Sequence, residues 1–326
     1  MIRLYSKFIS SFLSLFTNYQ NGLHLNFIIH FKKIFFFKYI NIHILKLNEK
    51  DEDGYYPLLI AIDNNNIKIV KILIEYANQH QIILELNEKD NNGDYPLLKA
   101  FDENNIEIVK LLIEYANQHQ IILELNEKDD DGWYPLLKAI SCNNIEMFNL
   151  LIEYANQHQI ILELNEKDNA GYYLLLKAFD ENNIEIVKLL IEYANQHHII
   201  LELNEKDDDG WYSLLKAISN KNIEIVQLLI DYANQHQIIL ELNEKNKYRD
   251  YPLLIAIEEN NIEIVQLLLE YALQHQIILE LNEKDFLGYN PLLRAIFWNN
   301  IEIVQLLIEY ALQHQIILEL NEKDNN

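Results

Sequence analysis

From Ile145 the apolar residues fall at Ile145, Phe148, Leu151, Ile152 and Ala155, the i, i+3, i+4 spacing of a helix with one buried stripe. A shorter apolar group, Leu136-Leu137 and Ala139-Ile140, lies just upstream behind Pro135. Proline suits a first helical position, where its missing N–H has no partner to lose. Asn143-Asn144 separates the two groups, and asparagine tolerates the left-handed conformation that closes helices. The short helix is therefore expected to end near Ser141 and the longer one to begin at Ile145. Asp129-Asp130-Asp131-Gly132 ahead of them is a turn signal, Gly132 being free to take positive φ. The pattern predicts a β-turn followed by two antiparallel helices.

This pattern recurs. Leu-Asn-Glu-Lys stands at 47, 86, 125, 164, 203, 242, 281 and 320, a step of 39 residues each time. Counted from it, glycine fills the turn at 54, 93, 132, 171, 210 and 288, and proline opens the short helix at 57, 96, 135, 252 and 291. A fixed period of roughly 20–50 residues signals stacked architecture, because no single copy buries its apolar face alone. The repeats are 47–85, 86–124, 125–163, 164–202, 203–241, 242–280 and 281–319, with a partial eighth at 320–326. One elongated array is expected, its stability a sum over repeats and nearest-neighbour interfaces. Each fully buried Leu or Ile contributes about 1.5–3 kcal/mol, and a repeat offers about ten. The sameness of Leu-Asn-Glu-Lys marks it as framework, and the last helices are expected to lack a polar capping repeat.

The second repeat carries Asp90, Gly93, Pro96, Leu97, Ala100, Asn105, Glu107-Ile108-Val109 and Leu111-Leu112-Ile113. This resembles the ankyrin repeat, and the resemblance holds in seven copies over residues 47–319. It implies an all-α, ankyrin-like helical solenoid of antiparallel helix pairs joined by β-turn loops. There are departures. Tyr95 stands where the family has a capping Thr and Leu98 where it has His, so the usual hydrogen bonds at that helix start cannot form and apolar packing is expected to replace polar locking. Asn, or Lys221 in the fifth repeat, replaces the glycine closing the first helix. The second helix is expected to run one or two turns longer, through Tyr115-Ala116-Asn117-Gln118-His119-Gln120-Ile121-Ile122-Leu123-Glu124, since no Gly or Pro interrupts it. Arg249, in a glycine slot, should make its turn the least regular.

Residues 1–46 break from this pattern, being rich in Phe and Ile. They hold six basic residues and no acid, which leaves 20 bases against all 50 acids on the remainder, a charge of −30 within a total of −24. An acidic array argues against nucleic acid, which needs clustered Lys and Arg, and favours solubility or a basic partner. The segment reads as an irregular apolar cap or as a non-native start. A signal peptide over Phe8–Phe16 lacks a small-x-small cleavage pattern, and a span over Phe8–Phe31 is interrupted by polar residues. Cys142 is the only cysteine, so no intramolecular disulfide or cysteine metal cluster is possible; a reducing, cytoplasmic setting is compatible and expected.

Candidate chemistry is sparse. With Gly132 as the sixth residue of an EF-hand loop, Lys138 would occupy the twelfth position, where a bidentate Glu is required. Histidines at 80, 119, 158, 197, 236, 275 and 314 form a ladder spaced by about 10 Å, the usual distance between packed helices, too far for shared coordination at about 2 Å. A structural or solvent-facing ladder is expected. No phosphate loop, nucleophile elbow, Cys-x-x-Cys or His-Glu-x-x-His motif occurs. Neither catalysis nor a cofactor or metal is expected.

Function should lie where the repeats differ: at the turn tips, after the turn glycine, and on the outer side of the first helix. The resemblance implies that tips and first helices form the concave, protein-binding face. Aromatic anchors are typical of binding surfaces, and Tyr55, Trp133, Tyr172, Trp211 and Tyr289 occupy the slot after the turn. Lys99, Lys138, Lys177, Lys216 and Arg294 occupy the helix slot, and Tyr248, Phe286 and Trp298 break the acidic pattern of the last two repeats. The expected role is a non-catalytic scaffold for an unidentified protein partner, without nucleic acid or membrane. The alternatives are a membrane-tethered adaptor anchored through residues 1–46, and an enzyme accessory or fragment of a larger multidomain protein.

Overall fold

The structure is a computed structural model that describes residues 45–319. The expectations placed on residues 1–44 lie outside the described residues. Fourteen helices and no strand occur among the described residues, and the chain divides after Leu123 into two compact bodies.

The first body contains α1 (Pro57–Asp63), α2 (Ile67–His80), α3 (Pro96–Asp102) and α4 (Ile106–His119). The second contains α5 (Pro135–Ser141), α6 (Ile145–His158), α7 (Leu174–Asp180), α8 (Ile184–Gln196), α9 (Ser213–Ser219), α10 (Ile223–His236), α11 (Pro252–Glu258), α12 (Ile262–Gln274), α13 (Pro291–Phe297) and α14 (Ile301–Gln313). In each body a short helix packs on its own long partner, short helices pack on the next short helix, and long on long. Helices therefore start where proline places them, and also at Leu174 and Ser213, which have no proline. The expected boundary at Asn143 holds: the residue is left-handed (φ 52°), as is Lys221 (φ 57°) in the equivalent place. The following asparagine caps the long helix, Asn144 accepting from the Met147 N–H at 3.1 Å and Asn222 from Ile225 at 3.3 Å.

The long helix runs on by about one turn past Tyr115, to His119, but does not continue through Glu124 as expected. α4 stops at His119, and Gln120 turns left-handed (φ 56°). The Ile121 N–H then returns to the Ala116 carbonyl at 2.9 Å, the six-to-one bond of a Schellman cap. Capping satisfies carbonyls that would otherwise be orphaned, so glutamine is held where glycine is usual. Ile121–Glu124 follows without helix, and of these residues only Leu123 is buried.

The tyrosines that begin the short helices make no cap with their own helix, as expected, yet the lock is polar. The Tyr56 hydroxyl donates to the carbonyls of Glu85 (3.1 Å) and Glu88 (3.0 Å); Tyr212 repeats this with Glu241 and Glu244 at 2.9 and 3.1 Å. Burial, then the neighbouring glutamates, pushes both phenols above their ordinary value. Polar locking has thus moved from within the helix to the junction with the next repeat, one acceptor lying on each side of it. The tyrosines near the ends of the long helices work in the other direction: Tyr193 accepts from the Leu162 N–H at 3.1 Å, and Tyr232 from Leu201 at 3.0 Å. The Leu45 N–H meets Tyr76 in the same way at 3.0 Å, so Leu45 already follows the register of the repeats.

Leu-Asn-Glu-Lys is framework in a concrete sense. Its asparagine clamps the tail of its own repeat, Asn165 donating to the Ile200 carbonyl (2.8 Å) and accepting from Glu202 (3.2 Å). Its lysine reaches the next copy, Lys167 to Glu205 at 2.6 Å and to the Lys206 carbonyl at 3.0 Å. The histidine ladder is also structural. Each ring stacks on the tyrosine four residues earlier, as in Tyr232–His236 at 4.2 Å, and His236 Nε2 lies 2.9 Å from Asn195 Oδ1 of the preceding repeat. The corresponding residue for His314 is Leu273, and its Nε2 is buried without a partner.

Successive turns hydrogen-bond to each other, Asn169 to Asp131 at 3.0 Å, Asp208 to Ala170 at 3.1 Å and Lys247 to Asp209 at 2.9 Å. No such bond joins Phe286 to Tyr248. Arg249 occupies the glycine slot there with φ 67°, which is the irregularity expected of that turn. An Arg249→Gly change should relieve left-handed strain of about 1–2 kcal/mol and restore a bond worth about 0.5–1.5 kcal/mol. The expected outcome is a urea midpoint raised accordingly; an unchanged midpoint would show that the side chain costs nothing.

Candidate protein-binding surface

The residues after each turn glycine and those one turn into each short helix lie five apart, and the structure brings them together. Asp carboxylates build the platform: Asp207 Oδ1 accepts from the N–H groups of Asp209 (2.9 Å) and Trp211 (2.8 Å), fixing where the aromatic ring leaves the backbone. Burial raises the Asp207 carboxyl above its ordinary value.

In the second body the cation then lies over the ring. Lys138 Nζ is 4.5 Å from the Trp133 centroid, Lys177 5.4 Å from Tyr172, Lys216 4.7 Å from Trp211, and the Arg294 guanidinium 4.8 Å from Tyr289. Such contacts contribute about 0.5–2 kcal/mol depending on desolvation. Trp133, Tyr172, Trp211 and Tyr289 are half-buried, as are Lys138, Lys177 and Lys216. Lys177 is also held by Asp180 at 3.3 Å and Glu181 at 3.0 Å, and Lys216 reaches Asp180 at 2.7 Å. Burial would raise the Asp180 carboxyl, but the hydrogen bond and charge of Lys216, helped by Lys177, hold it below its ordinary value. Arg294 is buried, at 6% exposure, paired with Asp285 and 3.9 Å from Glu258.

In the first body Tyr55 is half-buried and its helix slot holds Ile60. Lys99 Nζ instead meets Asp94 at 2.9 Å and Asp63 at 3.2 Å. Burial lowers its pKa, but the hydrogen bond and charge of Asp94, with Asp63, raise it overall. The tips stand clear of this layer. Phe286 is 82% exposed, and Tyr248 and Trp298 are also exposed. Phe297 links Trp298 (5.3 Å, edge-on) to Tyr289 (5.8 Å).

The cations of this face are therefore already engaged, Lys138, Lys177, Lys216 and Arg294 by rings, and Lys99, Lys177, Lys216 and Arg294 by carboxylates. The pairing of ring with cation emerges only in the structure. Its signal was available, since Trp133/Lys138, Tyr172/Lys177, Trp211/Lys216 and Tyr289/Arg294 share one five-residue offset. Among the described residues no group of three or more His, Cys, Asp or Glu could hold a metal ion, and the turn aspartates are occupied by turn N–H groups. No helix among them is long and apolar enough to cross a membrane.

Turn, short helix and long antiparallel helix, repeated and locked through neighbouring backbone, define a repeat protein of the helix-pair class. The family model for ankyrin repeats, three copies in length, matches residues 29–123, 79–160, 117–199, 156–238, 192–276 and 235–318, and the chain belongs to the ankyrin repeat family. The first match begins within the segment that the sequence reading set apart. Among solved structures, the ankyrin repeat domain of Bcl-3, described as a unique member of the IkappaB protein family, shares the fold with a TM-score of 0.54. It is 21% identical, and the match covers 79% of this chain and 100% of that one. No curated protein matches the chain in sequence. Ankyrin repeats generally mediate protein–protein interaction.

Proposed function

We propose that the chain is a non-catalytic scaffold that binds a protein partner through its turn tips and first helices, the concave face of the family. The observation that carries this reading is the row Trp133, Tyr172 and Trp211, held in consecutive repeats by turn aspartates beneath and lysines above. Aromatic plates fixed before binding lose little side-chain freedom on contact, which favours them as anchors. Because each cation already faces a ring, Lys138, Lys177 and Lys216 serve chiefly to orient the plates. The tips Tyr248 and Phe286, and Trp298, extend the surface in the last two repeats, and Tyr55 and Lys99 occupy the corresponding places in the first two. Tyr289 and Arg294 form the most enclosed pair and support the surface from within.

Affinity purification of the full chain beside its Trp133→Ala/Trp211→Ala variant tests this. Partners recovered with the parent should fall severalfold with the variant, which should stay folded while losing about 0.5–2 kcal/mol for each cation contact removed, and an identical partner set would count against the surface.

A further inference from the structure

A second surface lies on the opposite chemical pattern, in the tails that follow the long helices. Beyond the left-handed residue the exposure alternates: Ile161 out, Leu162 in, Glu163 out, Leu164 in, the period of two of extended chain. Packing uses the leucines and leaves the isoleucines outside. Ile161, Ile200, Ile239 and Ile278 are each 51–54% exposed. Their backbone is pinned on both sides, Ile161 by Asn126 at 2.9 Å and Leu162 by Tyr193 at 3.1 Å, with the same clamps at Ile200, Ile239 and Ile278. Surface isoleucine on a fixed backbone is presented without an ordering cost to binding.

Two observations say what would cover this row. The first is charge. Glu163, Glu202 and Glu241 share the outward face with the isoleucines and have no Lys or Arg partner among the described residues. The neighbouring Glu166, Glu205 and Glu244 are, by contrast, each engaged by a lysine at 2.6–2.7 Å. Free carboxylates beside an apolar row favour a cationic partner and disfavour nucleic acid and anionic lipid. The second is period. Packed helices lie about 8–10 Å apart, so stacked repeats present one isoleucine about every 10 Å. A partner helix advances about 10.5 Å in seven residues, whereas same-face residues of a strand recur about every 6.8 Å and fall out of step. The slot is Ile in all seven repeats, while an outward slot of the long helix, exposed or half-buried, reads Lys71, Lys110, Asn149, Lys188, Gln227, Gln266 and Gln305.

We propose that the row Ile161, Ile200, Ile239 and Ile278, with the unpaired Glu163, Glu202 and Glu241 beside it, docks a basic amphipathic helix whose apolar residues recur every seven positions. Four isoleucines span three steps, about 30 Å, and call for a helix of about 20 residues. This surface is separate from the tip surface and stands or falls independently of it.

The test uses the full chain and three fluorescent peptides of about 28 residues, four heptads: Leu at every seventh position with Lys flanks, the same with Glu flanks, and the Lys peptide with its Leu positions scrambled. By anisotropy the heptad Lys peptide should bind, weaken with salt, and bind Trp133→Ala/Trp211→Ala as it binds the parent. Ile200→Ser/Ile239→Ser should weaken it about tenfold or more, two apolar contacts being lost. Glu202→Lys/Glu241→Lys, which leaves every apolar side chain in place, should abolish binding at an unchanged melting temperature. Equal binding of the scrambled or Glu peptide would overturn the proposal, as would unchanged affinity in either double variant. Self-association of the parent that the Ile double variant removes would assign the row to a second copy, and capture by phosphatidylcholine vesicles would assign it to lipid; either overturns it.

Discussion

Gly171→Ala is expected to cost the second body about 2–5 kcal/mol, from left-handed strain of about 1–2 kcal/mol and a steric penalty of about 1–3 kcal/mol. Gly171 has φ +85°, and a Cβ there would lie 2.7 Å from the Asp207 Cα, 3.0 Å from the Asp208 nitrogen and 3.1 Å from the Asp207 carbonyl carbon. All three are backbone atoms of the next turn, so no side chain can swing aside. The fold shows how it responds to such a Cβ, because Arg249 fills the same slot and the bond between its turn and the next is missing. Gly171→Ala should likewise break the 3.1 Å bond from the Asp208 N–H to the Ala170 carbonyl. Urea unfolding gives the cost, and faster amide exchange at Asp208 locates it. A loss below about 0.5 kcal/mol, the size expected of an ordinary surface change, would mean that the turns do not need their close approach.

That comparison also shows what sequence could and could not reveal. Gly171 and Arg249 were legible because a turn signal has a local cause, as were Pro135 at a helix start and Asn143 at a helix end. The stop at Gln120 was not, because glutamine has no strong left-handed preference and is held there by bonds from Gln120 and Ile121 back to the helix. Partners 29 to 40 residues away were equally hidden: Tyr173 meets Ser213, which stands in a proline slot, at 2.8 Å. At the candidate surface the aromatic and basic slots could be named from the repeat. The ion pairs that hold the same lysines could not, since they depend on acids such as Asp180 shared between repeats. The exposed isoleucine row was hidden for the same reason as the helix end, because it arises only when the chain after Gln120 is extended and every second residue faces out.

The tyrosine lock separates two accounts of stability. If the tyrosines at the short-helix starts act only by packing, Tyr212→Phe should be nearly neutral, because the ring is kept. The hydroxyl, however, donates to two carbonyls, Glu241 at 2.9 Å and Glu244 at 3.1 Å, from a fully buried position. Removing it leaves two part-buried acceptors without this donor, which costs about 1 kcal/mol. Tyr212→Ala removes the ring as well and should cost about 3–5 kcal/mol or more, as large-to-small changes of buried aromatics do. In an array whose repeats are held by neighbours alone, such a loss acts at one interface. The Ala variant should therefore split the thermal transition of the second body, with the repeats after Leu242 melting at a temperature different from those before it, whereas the Phe variant should lower one shared transition. A Phe variant as stable as the parent would leave packing as the sole bond between repeats and would make the hydroxyl's two short contacts incidental.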